Sequence, residues 1–398
     1  MAPRFYRIYQ TVCALSLAPA AALFGACGSA PATEPPPSPP APAPLASAPA
    51  AAPAPAPPAA EPAAPPASPL VEVARSPKQW TGVAVAPDGR VFVNYPRWSD
   101  DVPVSVAEIV QGGEPRPFPD ATWNGYDPKA DPAKRFVAVQ SVVATRDGTL
   151  WVLDPGNPKF GGVVKGAPKI VAIDLAKNAV REVIRFDPTV ASGESYLNDV
   201  RFDLGRKVAY LTDSGKGGLV VLDLATKKAR RVLDGHPSTM SEGITLTVEG
   251  KPWKRPDGTA PRIHADGIAL SPDGAWLYYQ ALTGRTLYRV ATEALRDAKL
   301  KDAALGAKVE VVGKPGPADG LEADARGVYH TSLEENALRL IGPDGSARVL
   351  VKDARLAWPD SLAFGPDGSL WVTTTLIHRG NQPRDPYGLW KVPAEALK

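Results

Sequence analysis

The sequence predicts an all-β protein, a six-bladed β-propeller, and three observations support this prediction. A strand–turn–strand pattern recurs six times, further strand-like segments lie between the copies, and helical periodicity is nearly absent. Each copy joins two runs of period-two alternation through a turn that contains Gly or Asp, which is a strong short-range signal for a hairpin. The six copies span residues 82–93, 141–152, 199–211, 267–279, 320–330 and 361–372.

Further strands between the hairpins complete four-stranded units. Residues 169–174 and 218–223 are further strand-like segments, and residues 229–233 add another strand after the third hairpin. Units of about 40–60 residues with four short strands are typical of propeller blades. We expect Gly388–Val392 to pair with Val71–Val73, because this pairing would close the ring and remove the open edges of the sheet.

The chain divides into a leader, a low-complexity segment and one folded domain. Residues 28–69 contain 33 Pro or Ala among 42 residues, and this composition cannot form a packed core. Alternating Ala and Pro favour the extended polyproline II conformation, so the segment is predicted to be a disordered tether. We therefore assign residues 1–26 to a signal peptide, 27–69 to a lipidated cysteine with its linker, and 70–398 to the propeller.

The first 27 residues have the order of an export signal. Arg4 and Arg7 precede an uncharged, largely apolar run, and Leu23-Phe24-Gly25-Ala26-Cys27 follows. This order matches a secretory signal peptide. The cysteine after Gly-Ala resembles a bacterial lipobox, which implies that Cys27 is lipidated; the alternative is an ordinary cleaved signal with an incidental cysteine. We expect an exported bacterial lipoprotein of the cell envelope, at the outer membrane or the periplasmic face, or an extracellular protein.

Composition and motifs exclude several classes of function. Cys13 and Cys27 are the only cysteines, so residues 28–398 offer no disulfide, cysteine nucleophile or thiolate metal site. The formal charge of +3 is small and dispersed, so we expect no nucleic-acid partner. Fingerprints of serine esterases, zinc proteases, P-loops and dinucleotide sites do not occur in the sequence. We expect a monomer that binds a small molecule.

Polar residues open the innermost strands, whose starts converge on the propeller axis. Three or four carboxylates with amide side chains would repel one another there unless a positive group compensates them. A divalent cation with oxygen ligands is one compensator, and a cationic amine or an arginine is another. The alternative is that these residues only cap strand ends and turns. The positions are Thr81, Gln140, Asn198 or Asp199, Asp266, Asp319 and Asp360.

Two further residues are candidates for a role at the same mouth of the channel. His264 lies two residues before Asp266 and could act as a general base or a ligand, although a surface histidine is the commoner outcome. Arg97, in Tyr95-Pro96-Arg97-Trp98, could orient an anionic ligand, or it could form a salt bridge between blades.

Eight short segments, taken in order along the chain, resemble the Yellow/major royal jelly protein family across nearly the whole folded region. They are Thr81-Gly-Val-Ala-Val85, Val91-Phe-Val-Asn-Tyr-Pro-Arg-Trp98, Leu150-Trp-Val-Leu-Asp-Pro-Gly156, Pro168-Lys-Ile-Val-Ala-Ile-Asp-Leu175, Tyr196-Leu-Asn-Asp-Val200, Ala209-Tyr-Leu-Thr-Asp-Ser-Gly215, Gly267-Ile-Ala-Leu-Ser-Pro-Asp273 and Trp358-Pro-Asp-Ser-Leu-Ala-Phe364. The resemblance implies a six-bladed propeller with a small-molecule site at the mouth of its central channel. It does not imply one chemistry, since the family includes binders of small amines, nutritional proteins and proteins connected with dopachrome conversion.

A more distant resemblance is to the gluconolactonase, senescence-marker and luciferin-regenerating propellers, which bind a divalent cation on the axis. Their Asn-Asp, Asn-Gly and Asp-Gly pairs are similar to Asn198-Asp199, Asp266-Gly267 and Asp319-Gly320. This resemblance implies that Asn198, Asp266 and Asp319 coordinate calcium or another divalent cation. The first-blade glutamate ligand of those proteins has no counterpart here, because it would fall near Thr81, and three ligands predict only modest affinity.

Two functions remain as predictions. The first is an envelope-anchored propeller that binds a small cationic or aromatic molecule at the mouth of the channel. The alternative is a metal-dependent hydrolase or isomerase that acts on lactone or quinone-like substrates, with His264 and Asp266 as the catalytic candidates. The missing carboxylate at Thr81 favours binding, and the axial carboxylates keep the alternative open. The predicted ligand contacts are Gln140, Asp360, His264 and Arg97.

Cys27→Ala should release a folded, soluble propeller from the membrane fraction. Two or more acyl chains on one cysteine give stable anchoring, whereas one chain is marginal. The measurement is fractionation of the wild type and the variant after a salt wash, with Cys13→Ala as the matched control that should stay with the membranes. A Cys27→Ala protein that still sediments with membranes would contradict lipid anchoring.

Overall fold

The computed structural model describes residues 68–380 and 384–398. The predicted signal peptide, Cys27 and the tether up to residue 67 lie outside the described residues, so these assignments stay predictions. Within the two described ranges, no helix is both long enough and apolar enough to span a membrane.

Six four-stranded antiparallel sheets form the blades of the propeller. The first strand, β1 (Val71–Ser76), belongs to the last blade. Blade 1 contains β2 (Val83–Val85), β3 (Val91–Asn94), β4 (Val106–Ile109) and β5 (Pro115–Pro117). Blade 2 contains β6 (Ser141–Thr145), β7 (Thr149–Asp154), β8 (Lys169–Asp174) and β9 (Ala179–Arg185). Blade 3 contains β10 (Leu197–Asp203), β11 (Val208–Asp213), β12 (Leu219–Asp223) and β13 (Ala229–Val232).

A two-stranded hairpin, β14 (Thr247–Val248) and β15 (Lys251–Pro252), precedes blade 4. Blade 4 contains β16 (Ala265–Leu270), β17 (Trp276–Ala281), β18 (Leu287–Ala291) and β19 (Glu310–Gly313). Blade 5 contains β20 (Ala318–Asp324), β21 (Gly327–Ser332), β22 (Ala337–Ile341) and β23 (Ala347–Lys352). Blade 6 adds β24 (Pro359–Phe364), β25 (Leu370–Thr374) and β26 (Tyr387–Val392). The arrangement confirms the predicted all-β, six-bladed propeller.

Helices in the described part of the chain are short and lie in the connections. Three are α-helical: α1 (Ala121–Asn124), α2 (Thr292–Arg296) and α3 (Asp302–Gly306). The others are single 3-10 turns at Pro132–Lys134, Pro158–Phe160, Pro237–Thr239, Leu333–Glu335, Ile377–Arg379 and Ala394–Leu397.

The two ends of the domain meet in blade 6. Its strand order is β1-β26-β25-β24, so β26 lies between β25 and the first strand of the chain. The strands β1 and β26 are antiparallel, with Val71 opposite Lys391 and Ser76 opposite Tyr387. This confirms the pairing predicted from the sequence and closes the ring.

Apolar side chains pack between neighbouring blades. Between blades 2 and 3, for example, Trp151 stacks on Phe202 with ring centroids 4.5 Å apart, and Leu153 and Leu211 are buried in the same cluster. Burying a large apolar side chain stabilises a fold by about 1.5–3 kcal/mol. Because every blade shares this packing with two neighbours, the position of each inner strand is fixed.

The inner strands, which are the first of each blade, line the central channel. They are β2, β6, β10, β16, β20 and β24, and each contacts the inner strands of both neighbouring blades. We call the mouth at which these strands start the upper mouth. The lower mouth is formed by the turns that connect each inner strand to the next strand of its blade.

The connection from blade 3 to blade 4, residues 233–264, is the longest between described blades. Its residues 240–253, which contain β14 and β15, are called the strap here. The strap has an apolar underside that packs on residues at the upper ends of blades 4, 5 and 6. This separate cluster contains Leu246, Val248, Leu282, Leu333 and Trp358.

Deleting residues 386–398 should unfold the whole domain, because it removes β26 and leaves β25 and β1 without their common partner. The control is deletion of residues 28–66, which should leave the melting temperature almost unchanged. Thermal unfolding followed by circular dichroism measures both. A cooperative, wild-type-like transition without β26 would contradict the requirement for ring closure.

Candidate functional site

A β-bulge near the start of four inner strands sets the positions of the axial side chains. The register shifts at the same place in β10, β16, β20 and β24. A bulge inserts one residue into a strand and changes the direction of a side chain. The residues at the four bulges are equivalent, as the repeated sequence pairs predicted; they are Asn198, Asp266, Asp319 and Asp360.

Glycines after two of these aspartates allow the inner strands to approach closely. A Cβ atom at Gly267 would lie 2.3 Å from the backbone oxygen of Asp319, and one at Gly320 would lie 2.2 Å from that of Asp360. Real side chains do not fit at such distances, so only glycine permits this approach. Asp266, Asp319 and Asp360 are therefore close neighbours in three successive blades, and we call these three residues the acidic cluster.

A chain of hydrogen bonds connects blades 2, 3 and 4 at the upper mouth. The Tyr196 hydroxyl donates to Gln140 Oε1 at 2.7 Å, and Gln140 Nε2 donates to Asn198 Oδ1 at 3.3 Å. Asn198 Nδ2 then donates to Asp266 Oδ2 at 2.7 Å and to Ser214 Oγ at 3.0 Å. The structure thus brings together three of the residues predicted from the sequence, Gln140, Asn198 and Asp266.

Asp319 and Asp360 are held by donors from blade 6. The indole Nε1 of Trp358 donates to Asp319 Oδ2 at 2.8 Å. Asp360 accepts from the Thr375 hydroxyl at 2.5 Å and from the Ser361 hydroxyl at 2.9 Å. All these donors are neutral, so they orient the two carboxyl groups without compensating a negative charge.

Burial makes all three carboxyl groups difficult to ionise. It raises the pKa of Asp266 and of Asp319 well above the ordinary value, and the neighbouring aspartates raise both further. Burial also raises the pKa of Asp360, to about 6, against hydrogen bonds from Thr375 and Ser361 that lower it.

These three aspartates differ from every other buried acidic residue in the described ranges. Seven acidic side chains are buried there, and four of them have a Lys or Arg partner within 2.6–2.8 Å. Asp266, Asp319 and Asp360 form no ion pair with any described residue. Burying a carboxylate without a cation is costly. The four compensated pairs are Glu108–Arg90, Asp154–Lys169, Asp203–Arg206 and Asp213–Arg231.

Arg201 crosses the channel on the lower side of the aspartates, and the sequence did not predict this role. Its guanidinium pairs with Asp199 at 2.9 Å and donates from Nη2 to the backbone oxygen of Leu321 at 2.6 Å. The side chain thereby joins blade 3 to blade 5 and compensates the charge of Asp199. A second, longer ion pair joins its Nε atom to the Glu322 carboxylate at 3.7 Å. Towards the lower mouth the channel widens into a cavity of about 1050 Å³.

One group of aromatic rings lies beside Gln140 at the upper mouth. Trp98 Nε1 donates to the Tyr196 hydroxyl at 2.8 Å. The ring of Phe160 lies 5.7 Å from that of Trp98 and 5.1 Å from that of Tyr196. Phe160 is 61% exposed, which leaves an apolar surface next to the acidic cluster.

A second group of rings lies beside Asp319. Trp358 is fully buried, contacts Trp253 edge-on at 4.7 Å and stacks on His378 at 5.7 Å. Trp358 also has a backbone φ of +54°, which is rare for a residue with a side chain. Its signal in the sequence was weak, because tryptophan is common in propeller cores.

His264 lies near the site but has no hydrogen bond to the aspartates among the described residues. Its Nδ1 accepts from the backbone N–H of Ser241 at 2.9 Å, so the neutral ring carries its proton on Nε2. Burial lowers the pKa of His264, which favours this neutral form. In this tautomer Nε2 is a hydrogen-bond donor rather than a base.

Arg97 and Thr81 donate to backbone oxygens rather than to the axial side chains. The Arg97 guanidinium donates to the backbone oxygens of Val137 and Val102 at 3.1 and 3.0 Å and lies 4.1 Å from the Tyr126 ring. No ion pair joins Arg97 to another blade in the described ranges. The Thr81 hydroxyl donates to the backbone oxygen of Gln140. The structure therefore does not bring Arg97 together with the predicted ligand contacts.

The donor set fits a divalent cation poorly in this arrangement. Among the described residues, no three His, Cys, Asp or Glu side chains are placed to hold a metal ion. Asn198 directs its amide nitrogen, not its oxygen, to Asp266, and Trp358 occupies one oxygen of Asp319. A cation bound by oxygen atoms would require the amide of Asn198 to turn over.

The fold and this mouth define a six-bladed β-propeller with a buried acidic cluster flanked by aromatic rings. The chain belongs to the major royal jelly protein family. The family model matches residues 137–366, which is more than half of the chain. This finding confirms the resemblance noted in the sequence.

Several relatives with detectable sequence similarity are insect proteins. A Yellow-related salivary protein of Lutzomyia longipalpis is 30% identical over 176 residues, which cover 39% of this chain and 42% of that protein. Major royal jelly protein 1 of Apis mellifera is 24% identical over 222 residues, covering 52% and 49% of the two chains. Protein yellow of Drosophila pseudoobscura pseudoobscura is 23% identical and covers 71% of this chain and 54% of its own. The chain spans about half the length of these relatives.

Solved structures with the same fold include enzymes. A gluconolactonase from Xanthomonas campestris has a TM-score of 0.51 and 16% sequence identity, with 81% of this chain and 89% of that chain covered. A luciferin-regenerating enzyme has a TM-score of 0.51 and 14% identity, with 81% and 94% covered. At these identities the likeness shows the fold alone.

Asp360→Asn should gain stability relative to the wild type as the pH rises from 4 to 7. The pKa of Asp360 is raised in the folded state to about 6, so the wild type loses stability as this group ionises, by about 2 kcal/mol over the interval. Asparagine does not ionise, so the variant does not lose this part of its free energy of unfolding. Urea unfolding of both proteins across this pH range measures the difference.

The control for this measurement is Asp367→Asn. Asp367 is more than half exposed and pairs with Lys391, which lowers its pKa, so its folded-state ionisation is complete below this pH range. The stability difference between this variant and the wild type should stay flat above pH 5. Parallel pH profiles of Asp360→Asn and the wild type would contradict the raised pKa of Asp360.

Proposed function

We propose that the protein binds a small organic cation with an aromatic part at the upper mouth of its channel. One observation carries the proposal: Asp266, Asp319 and Asp360 are buried together and have no Lys or Arg partner among the described residues. A ligand with a positive charge and N–H donors would compensate these carboxyl groups.

The surroundings of the carboxyl groups favour an aromatic or alkyl amine over a bare ion. An ammonium group has several donors and could bond to two carboxylates at once, without any rotation of the Asn198 amide. The exposed ring of Phe160, which packs on Trp98 and Tyr196, offers a face for stacking and for cation–π contact. Gln140 would remain available as a polar contact at the edge of the site.

The second candidate function is a metal-dependent hydrolase or isomerase of lactone or quinone-like substrates. The observation that favours it is the equivalent placement of Asn198, Asp266 and Asp319 at three successive bulges. Calcium or another divalent cation would be held by their oxygen atoms, with His264 beside the substrate. The gluconolactonase named above has the same fold, and its activity is transferred here only as part of this proposal.

The setting of this function is proposed from the sequence. A lipid on Cys27 would hold the protein at a bacterial envelope membrane, with the Ala/Pro-rich segment as a spacer between the lipid and the propeller. The partners are then a small molecule and a membrane, with the propeller acting as a monomer and without nucleic acid.

Isothermal titration with tryptamine and its neutral analogue tryptophol tests the binding of a cation. Tryptamine should bind, and tryptophol, which lacks the ammonium group, should bind at least about tenfold more weakly. At a concentration of 100 times its Kd, tryptamine should stabilise the fold by about 2.7 kcal/mol. Asp319→Asn should weaken tryptamine binding, because it removes the carboxylate that Trp358 orients.

The matched control variant is again Asp367→Asn, which makes the same change of charge at the surface and should bind tryptamine like the wild type. Calcium and EDTA are titrated in parallel, with hydrolysis of gluconolactone as the activity assay. Stabilisation by calcium that EDTA reverses, together with lactone hydrolysis, would favour the second candidate function. If neither amines nor calcium change the melting temperature, both proposals are wrong.

A further inference from the structure

Hydrogen bonds attach the strap to blades 4 and 5. To blade 4, the Glu242 backbone N–H donates to the backbone oxygen of Thr283 at 3.1 Å, and the Thr286 N–H donates to the Glu242 carboxylate at 3.0 Å. To blade 5, the Thr247 N–H donates to the Glu334 carboxylate at 2.9 Å. The strap therefore crosses the upper ends of these blades and continues towards blade 6.

The underside of the strap reaches the acidic cluster through Trp358. Leu246 and Val248 are buried against Trp358, and Trp253 packs on its ring at 4.7 Å. Trp358 in turn donates to Asp319. A change in the position of the strap would thus move Trp358 and alter its hydrogen bond to Asp319, a carboxyl group of the proposed binding site.

Trp358 depends on the strap for its conformation. Its φ of +54° is unfavourable for a bulky residue, and such strain persists only where surrounding contacts enforce it. Trp253 from the strap and His378 from blade 6 supply these contacts on the indole ring. Trp358 therefore contacts the strap on one side and orients Asp319 on the other.

A small set of side chains holds the far end of the strap. Glu249 lies at the turn between β14 and β15, and its carboxylate accepts from His378 Nε2 at 2.7 Å and from Arg379 Nε at 3.0 Å. We call these three side chains the latch. The Glu249 and Arg379 side chains are 31% and 27% exposed, so water partly screens this ion pair, and breaking it costs on the order of 1 kcal/mol. A two-stranded hairpin is itself marginally stable, so opening the strap costs far less than opening a blade.

The three aspartates are too deeply buried for a ligand to contact them in this structure. Asp266, Asp319 and Asp360 are 3%, 8% and 5% exposed, so part of the cover must move before a molecule of the size of tryptamine can contact them. The strap lies over the blades that carry these three residues. The turn of the strap at Glu249 is also held by side chains, those of His378 and Arg379.

We propose that the strap is a lid that controls access to the acidic cluster, with Glu249, His378 and Arg379 as its latch. The inference rests on the function proposed above, because it describes how a cation reaches that site. Opening at the latch withdraws Trp253 from Trp358 and exposes Asp319, and closure restores the contact of Trp358 with the carboxylate over the bound ligand.

The test compares three proteins in stopped-flow binding of tryptamine. Glu249→Gln weakens the latch, and the association and dissociation rates should both rise about fivefold with little change in Kd. Glu310→Gln is the matched control, since it breaks an exposed ion pair with Arg289 in blade 4 that is remote from the strap. Its rates should equal those of the wild type.

A reversible cross-link provides the opposite change. In the full chain with Cys13 and Cys27 replaced by alanine, Glu249→Cys and Arg379→Cys are joined by a reducible bifunctional thiol reagent. Both rates should fall by at least about tenfold and recover on reduction. Unchanged rates in the cross-linked protein would overturn the lid, because the ligand would then enter by another route.

Hydrogen exchange separates failure of the lid from failure of the proposed function. Amides of residues 244–253 should exchange faster than those of the blades, and Glu249→Gln should accelerate them further while Glu310→Gln does not. If tryptamine does not bind the wild type, the proposed function fails, and the exchange data still decide about the lid. Strap amides that exchange as slowly as the blades, or no response to Glu249→Gln, would overturn the latch.

Discussion

Closure of the ring by β1 and β26 is the constraint on which the channel depends. Each blade packs against two neighbours, and the pairing in blade 6 leaves no blade at an end. The six inner strands are therefore held together at the axis, so closely that only glycine fits at residues 267 and 320. Whatever side chains stand at the strand starts become buried. The close packing of the inner strands is therefore the reason that Asp266, Asp319 and Asp360 are buried.

The molecule deals with buried acidic residues in two ways. Asp154, Asp203, Asp213 and Glu108 have basic partners, which is the usual means of stabilising a charge away from water. At the upper mouth the carboxyl groups have only neutral donors, and burial raises the pKa of Asp266 and of Asp319 so that their neutral forms are favoured. Such a local exception to an otherwise consistent structure is typical of functional positions.

The fold could be predicted from the sequence because strands and hairpins depend on neighbouring residues. The alternation and the Asp-Gly turns fixed six hairpins, and strand starts indicated which side chains would meet, Asp266 and Asp319 among them. Arg201 could not be placed, because its partner Leu321 is 120 residues away and only the closed ring brings them together. The tautomer of His264 depends on the distant backbone of Ser241. Likewise, Arg97 donates to two backbone oxygens because of a loop conformation that no short sequence motif encodes.

The pairing of β1 with β26 also determines how the domain would bear mechanical load. β1 is the outer strand of blade 6 and is bonded on one side only, through five registered residue pairs. A domain held through residue 70 would pass any tension into these pairs before any other strand. The same hydrogen bonds close the ring, so a pull strong enough to detach β1 would loosen the inner strands. Force applied at the edge of the propeller would thus be transmitted to its axis.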